Sequence, residues 1–401
     1  MRYSYNEDGK WWVSPYNREP SVIEKTVPKH KVEIHDATLR DGEQTPGVVF
    51  SAEDKLRIAE KLIAAGVTRL ECGMPAVSES DQLAIQMITR EFPQANTYAF
   101  ARANRNDIDM ARDCGVKGVV IEIPIGRPKL EYQFRWNWEQ VLEKSANCIT
   151  YARSQGLKTV YFPYDTTRAD ADDLTNLLSG IMNKAKPDSV GLVDTMGCAL
   201  PETIQFLVRY IKKLTDGLPV EVHTHNDFGM AVITELAGMS AGANVLHSCV
   251  NGLGERTGNA ALEELIQAMI ILYGMETPYD LIKLGEACQF VSKLSGIPLS
   301  NNKPFSGAGN YTRESGIGVD LVVKKPLAMF ATDPAIFGRS GEVVLGKKSG
   351  KLSIVYYLER MGKEATDEQI AEILARVKAL GAEKRQLLSQ SEFEEIVAKV
   401  L

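Results

Sequence analysis

Residues 31–72 read KVEIHDATLRDGEQTPGVVFSAEDKLRIAEKLIAAGVTRLEC. A short run with β-branched residues (31–36) leads into a polar turn, then a segment with helical spacing, then a second short run (67–72). Ser51 is placed to cap the middle segment and Gly66 to end it. A helix start needs a side-chain acceptor, and its end favours a residue that tolerates left-handed backbone. Leu56, Ala59, Leu62 and Ile63 recur every three or four residues and predict one apolar helix face. Strand, helix and strand in so short a span make a β–α–β unit.

The alternation continues to about residue 273. Further candidate strands are NTYAFA from Asn96, KGVVIEI from Lys117, KTVYFP from Lys158, DSVGLVD from Asp188, PVEVHTH from Pro219 and NVLHSCV from Asn244, each with a helical segment behind it. Eight β–α units in about 240 residues have the count and size of a (β/α)8 TIM barrel, an α/β fold. A doubly wound open sheet is the competing arrangement. The expected division is an N-terminal extension (1–30), a barrel (31–274) and a C-terminal lid or linker with a mostly helical subdomain (275–401). In that last part SNNKPFSGAGNYTRESGIGVD, from Ser300, reads as an extended polar loop, and Thr366 with Gln369 forms a capping box before an amphipathic helix. Trp11, Trp12 and Tyr16 form an N-terminal aromatic group expected to pack against the barrel or a partner.

Composition narrows the function class. The 401 residues are 44% hydrophobic and 24% charged, with a net charge of -6, an ordinary globular balance. Lys and Arg are dispersed, so no nucleic-acid footprint stands out. No apolar run approaches a membrane span, and the N-terminus lacks a secretory h-region. Six scattered cysteines without a CxxC read as reduced thiols. A cytoplasmic protein is expected.

In a barrel, chemistry gathers at the C-terminal ends of the strands. His35, Asp36, Glu71, Cys72, Glu122, Asp165, Asp194, His223, His225, His247 and Asn251 all fall at or just past such ends. In EVHTHND, His223 and His225 are two apart and project to one face of a strand. They are a metal pair or two hydrogen-bonded rim histidines. The turn after the first strand supplies Asp36, Arg40, Asp41, Glu43 and Gln44. Only the eighth strand separates the first from the seventh in a closed barrel, so a carboxylate from this turn can meet both imidazoles. Two imidazoles and a carboxylate suit a catalytic divalent metal, and an adjacent Arg can stabilise charge on a carbonyl oxygen. VNGLGERTGNAALEEL, from Val250, is a Gly-rich loop with Asn259 read as the following helix's start. Its spacing and position are not those of a dinucleotide fingerprint.

HDATLRDGEQTPG, ECGMPA, VDTMG, HTHNDFG, NGLGERTGNA and LGKKSG occur in one order. Together they resemble the DRE-TIM metallolyase superfamily, closest to its 2-isopropylmalate, citramalate and homocitrate synthase branch, over about residues 31–401. The resemblance implies a Claisen-type condensation of an acyl-CoA, acetyl-CoA first, with a 2-oxo acid, and one divalent ion (Mg, Mn or Zn). It implies Asp41, His223 and His225 as metal ligands, with Asn259 at or near the metal. It further implies Arg40 polarising the 2-oxo group, Gln44 and Glu71 lining the site, Thr195 on the acid's carboxylate, and a homodimer whose C-terminal part reaches the partner's site. Tyr311, Arg313 and Glu314 are the residues placed to serve that way.

Departures from the family pattern fall on the acceptor pocket. RESGIG puts Gly318 where these synthases carry a histidine that is a candidate base, and GKKSG has Lys348 in place of another histidine. EIPIGRPKLEY replaces a pattern ending in histidine, and Tyr164 stands where a Glu is usual. Arg127 and Lys129 are therefore candidates for a second acidic group on the substrate, or else solvated loop charges. Glu122, Tyr164 and Lys348 are the candidate bases. The expected acceptor thus differs from that of leucine-pathway isopropylmalate synthase, and the chain lacks that enzyme's long regulatory segment, so leucine feedback is not expected. Carbon–carbon cleavage of the HMG-CoA lyase kind is the alternative. It is disfavoured because NGLGERTGN lacks the cysteine that lyase uses there. A non-catalytic barrel that binds metal and acid is a third reading.

Overall fold

The computed structural model describes residues 4–401. Its contacts divide into two compact units: Tyr16–Pro298, and the described residues up to Pro15 together with Leu299–Leu401. Residues 275–298 therefore lie in the same unit as the barrel strands.

The first unit is a closed barrel of eight parallel strands in sequential order. These are β1 (Glu33–Asp36), β2 (Arg69–Glu71), β3 (Asn96–Arg102), β4 (Gly118–Pro124), β5 (Lys158–Tyr164), β6 (Ser189–Asp194), β7 (Val220–Thr224) and β8 (Val245–Ser248). Strand β8 closes onto β1 with His247 opposite His35. The open-sheet alternative is excluded by that closure.

Rings from strands that are not neighbours meet inside the barrel. Phe162 of β5 lies 5.6 Å from His223 of β7 and 5.3 Å from His247 of β8. Tyr98, Phe100, Val120, Val160, Phe162 and Val193 form one buried cluster around the axis. With side chains alternating along each strand, Arg69, Glu71, Glu122, Tyr164, Glu221 and His223 share the inward parity. Gly191 makes room for Phe162: a Cβ there would lie 2.1 Å from its ring.

Helix α1 (Ala52–Ala64) starts at Ser51, whose hydroxyl and backbone pair reciprocally with Asp54, and ends before Gly66 at φ +90°. Its buried face is Ala52, Lys55, Ile58, Ala59 and Leu62. The expected Leu56 and Ile63 are only half-buried. The face rotates because Lys55 is drawn inward between Glu43 and Asp81, each 2.5 Å from its ammonium. The Gly-rich loop also differs from expectation. The helix after it, α2 (Leu262–Gln267), is preceded by Ala261 and not Asn259, which forms an isolated β-bridge with His225.

The second unit has its own core of Leu345, Ile354, Ile373, Val377, Phe393 and Val397. Thr366 and Gln369 cap its helix Asp367–Lys384 as predicted. The polar stretch after Ser300 is more ordered than a loop: Thr312–Arg313 pairs in parallel with Glu342–Val343. Trp11 is buried in this unit and bridges to Thr332, whereas Trp12 and Tyr16 are exposed. Among the described residues no helix is long and apolar enough to cross a membrane.

Candidate active site

The turn after β1 is tightened by Asp36, whose carboxylate accepts from the Thr38 amide and hydroxyl, both at 3.0 Å. The chain then returns Asp41 to the barrel axis. Asp41 Oδ2 stands 3.2 Å from His223 Nε2 and 3.8 Å from His225 Nε2. Donor atoms bound at about 2 Å to one divalent ion sit roughly 3–4 Å apart, so this is the spacing of neighbouring ligands. Asp41 Oδ1 and Asn259 Oδ1 are buried acceptors with no donor among the described residues. Buried polar atoms are rarely left unpaired, and two orphaned acceptors beside two imidazoles fit a cation. The Asn259 amide is oriented for this, because its Nδ2 donates to the Leu253 carbonyl at 3.0 Å. Gly254, at φ +145°, leaves the space: a Cβ there would lie 2.3 Å from that nitrogen.

A second cluster, His35, Glu221 and His247, lies deeper in the barrel. Most of its polar atoms are already engaged, His247 Nδ1 being the exception. Arg69 donates to His35 Nδ1 at 2.9 Å and to Glu221 at 2.6 Å, and Glu221 also accepts from Ser189 and pairs with His247 at 2.9 Å. The Arg69 guanidinium thus already supplies a positive charge to two of the three residues. Burial lowers the His247 pKa to about 3, aided by the stacked His35 ring at 4.2 Å. His35 and His247 of this polar ladder were expected at strand ends, but Arg69 and Glu221 were not singled out from sequence. The period-two pattern carried the signal, since Arg69 and Glu221 sit two residues before Glu71 and His223.

Arg40 links the ladder to the mouth. It donates to Glu71 at 2.7 Å, pairs with Asp41 at 3.1 Å and stacks 4.4 Å over the Phe100 ring. Burial works against charge on Asp41, but Arg40 and the two histidines hold its pKa well below the usual carboxylate range. Glu71 resists the same burial, held at about 2 by Arg40 and His35. Burial lowers His225 to about 4, only partly offset by Asp41, so its imidazole is neutral at pH 7, as a metal ligand requires.

The remaining predicted residues divide. Gln44 is exposed and, with Arg40, lines a cavity of about 370 Å³ whose apolar wall includes Leu39, Phe50 and Met74. The Thr195 hydroxyl accepts from the Asp165 amide at 2.8 Å, leaving its proton free to donate. Tyr164 is raised by burial and by Glu122 and stays protonated. Lys129 is half-buried and acts electrostatically on Glu122. Arg127 is 73% exposed and faces Glu131 at 3.7 Å. Within the second unit, Tyr311 is buried against Phe330 and Phe337, and Lys348 pairs with Glu314 at 3.3 Å. Cys249 and Cys72 are fully buried, and burial pushes Cys72 to about 12, so neither is a nucleophile.

Residues 31–291 match the HMGL-like family, and residues 306–385 match the homocitrate synthase post-HMGL domain-like family. The chain belongs to the HMGL-like family. It falls in the synthase branch of that family. Homocitrate synthase AksA of Methanopyrus kandleri is 40% identical over 97% of this chain and 96% of its own length. A probable 2-isopropylmalate synthase of Ignicoccus hospitalis is 38% identical over 94% of each chain. The (R)-citramalate synthase CimA of Methanocaldococcus jannaschii is 39% identical over 87% of this chain and 71% of its own. Among solved structures, hydroxymethylglutaryl-CoA lyase from Pseudomonas aeruginosa superposes with a TM-score of 0.61 at 21% identity, over 70% of this chain and 97% of that one. That likeness speaks to the barrel fold alone.

Proposed function

We propose that this chain is an acyltransferase that condenses acetyl-CoA with a 2-oxo acid, giving a 2-hydroxy-2-alkyl acid and free CoA. The observation that carries the reading is the convergence of Asp41, His223 and His225 beside the Arg40 guanidinium. Asp41, His223, His225 and Asn259 would hold a divalent ion, Mg, Mn or Zn, which when bound withdraws electron density from the acid's carbonyl. Arg40, fixed in place by Glu71, donates to the carbonyl oxygen as that atom gains negative charge. The Thr195 hydroxyl, with its proton free, binds the acid's carboxylate, and Gln44 lines the approach beside Arg40. Tyr164 and Lys129 border the acceptor's side chain and set a preference different from that of leucine-pathway isopropylmalate synthase. The working form is a cytoplasmic homodimer, which sedimentation would measure.

The test is thiol release from acetyl-CoA with added Mg²⁺, Mn²⁺ or Zn²⁺, against pyruvate, 2-oxoisovalerate, oxaloacetate and 2-oxoglutarate. At least one acid should release thiol well above background. No release with any acid, together with cleavage of a 3-hydroxyacyl-CoA, would replace condensation by the lyase direction.

A further inference from the structure

The inward-facing carboxylates of the barrel differ in one respect. Glu71 is committed to Arg40 and His35, Glu221 to Arg69, Ser189 and His247, and Asp41 to Arg40 and His223. A carboxylate held by cations has little affinity for a proton. Glu122 alone among these carries no hydrogen bond or ion pair to any described residue, and it is half-buried, so its oxygens remain reachable. Its position is set by the backbone. It lies two residues beyond Val120 of the axial cluster and shares that inward parity. It is in register with Phe162, whose ring touches His223, and one strand from Tyr164.

We propose that Glu122 is the general base that takes the proton from the α-carbon of the acyl thioester. This rests on the condensation reading above. The Glu122 carboxylate accepts the proton, and the C–H electron pair passes into the thioester as an enolate. The enolate carbon forms the new bond to the carbonyl carbon of the 2-oxo acid. The carbonyl π pair moves to oxygen beside Arg40, and that oxygen takes a proton back from Glu122 to become the hydroxyl. Water then cleaves the thioester, releasing CoA thiol and a new carboxylate.

The groups around Glu122 suit the task. Burial is the largest influence and raises its pKa to about 7. Arg40 and Lys129 favour the charged form, Asp41 and Glu71 oppose it, and Tyr164 on β5 remains a neutral phenol. A base is most effective when its pKa lies near the working pH. The other two candidates are less fit. Tyr164 holds its proton, and Lys348 is an ammonium paired with Glu314 in the second unit.

The experiment compares wild type, Glu122→Gln and Glu122→Asp, with acetyl-CoA and the acid that gives the fastest thiol release. Loss of a positioned base lowers turnover by about 10² to 10⁴. Glu122→Gln should therefore reduce kcat by at least about 100-fold while the KM for the acid and the bound metal per chain stay near wild type. It should also end deuterium uptake at the acetyl methyl in D2O and erase the acid limb of the kcat/KM profile. Glu122→Asp, which keeps a carboxylate, should recover part of the rate and retain that limb. Methyl exchange or turnover in Glu122→Gln close to wild type overturns the assignment. So does an equal loss in both variants with the acid limb unchanged. A wild type that releases no thiol with any acid overturns the condensation reading itself, and this proposal with it.

Discussion

Replacing Glu71 by Gln keeps the shape of a fully buried side chain and removes the charge that Arg40 and His35 face at 2.7 and 3.2 Å. Burial alone would raise the Glu71 pKa, yet these partners pull it from 4.5 to about 2. That drop corresponds to about 3 kcal/mol of folding stability. The figure agrees with the roughly 3–5 kcal/mol lost when one partner of a buried pair is removed. Because the folded-state pKa is depressed, the stabilisation is present above about pH 4.5 and is lost as the pH falls through about 2. Roughly 2 kcal/mol of it should remain at pH 3.5. At about 2 °C per kcal/mol, Glu71→Gln should lower the barrel's thermal midpoint by about 6 °C at pH 7. The gap should narrow at pH 3.5. Differential scanning calorimetry at both pH values reads the two quantities. A midpoint within about 2 °C of wild type at pH 7, or a gap that does not narrow with acid, refutes the account of Glu71 as the anion that holds Arg40.

Three further outcomes follow from the geometry. His223→Ala should remove bound metal, measured by elemental analysis after dialysis, together with thiol release, and full metal occupancy would remove this residue from the ligand set. Gly254→Ala places a Cβ 2.3 Å from Asn259 Nδ2 at φ +145°. It should cost about 1–3 kcal/mol and weaken metal retention, and wild-type melting with wild-type metal content would contradict the crowding argument. Gly318→His puts a side chain on backbone at φ +76°, with its Cβ 2.8 Å from Met329 Sδ. It should destabilise the second unit by about 1–2 kcal/mol in urea titration without increasing thiol release, and a gain in turnover would show that the glycine had merely displaced a useful histidine.

The barrel was legible because each strand is short, β-branched and followed by an amphipathic helix, and eight such units leave few ways to bury both faces of a parallel sheet. The pairing of Asp41 with His223 and His225 was legible for a related reason. Period two puts the histidines on one face, and closure brings the first strand within one neighbour of the seventh. Other features were not readable this way. By position alone Asn259 looked like a helix cap, because polar residues before an apolar run usually are, and only the family resemblance placed it near the metal. Its backbone instead bridges to His225, a contact between segments 34 residues apart in the chain. Helical spacing likewise carries no sign that Lys55 is buried, because that depends on Glu43 and Asp81, carboxylates of other elements that neutralise it.

By itself the sequence determined the eightfold β–α order, the inward parity of each strand and the residue types at the barrel mouth, since these depend on local periodicity and on spacing along the chain. Only the tertiary structure decided which charges are already spent. Arg69 is committed to His35 and Glu221, while among the described residues Asp41 and Asn259 each keep an oxygen without a donor and the Glu122 carboxylate has no hydrogen bond or ion pair. Pairing between charges depends on distances of about 3 Å across the barrel, and such distances exist only once the strands have closed.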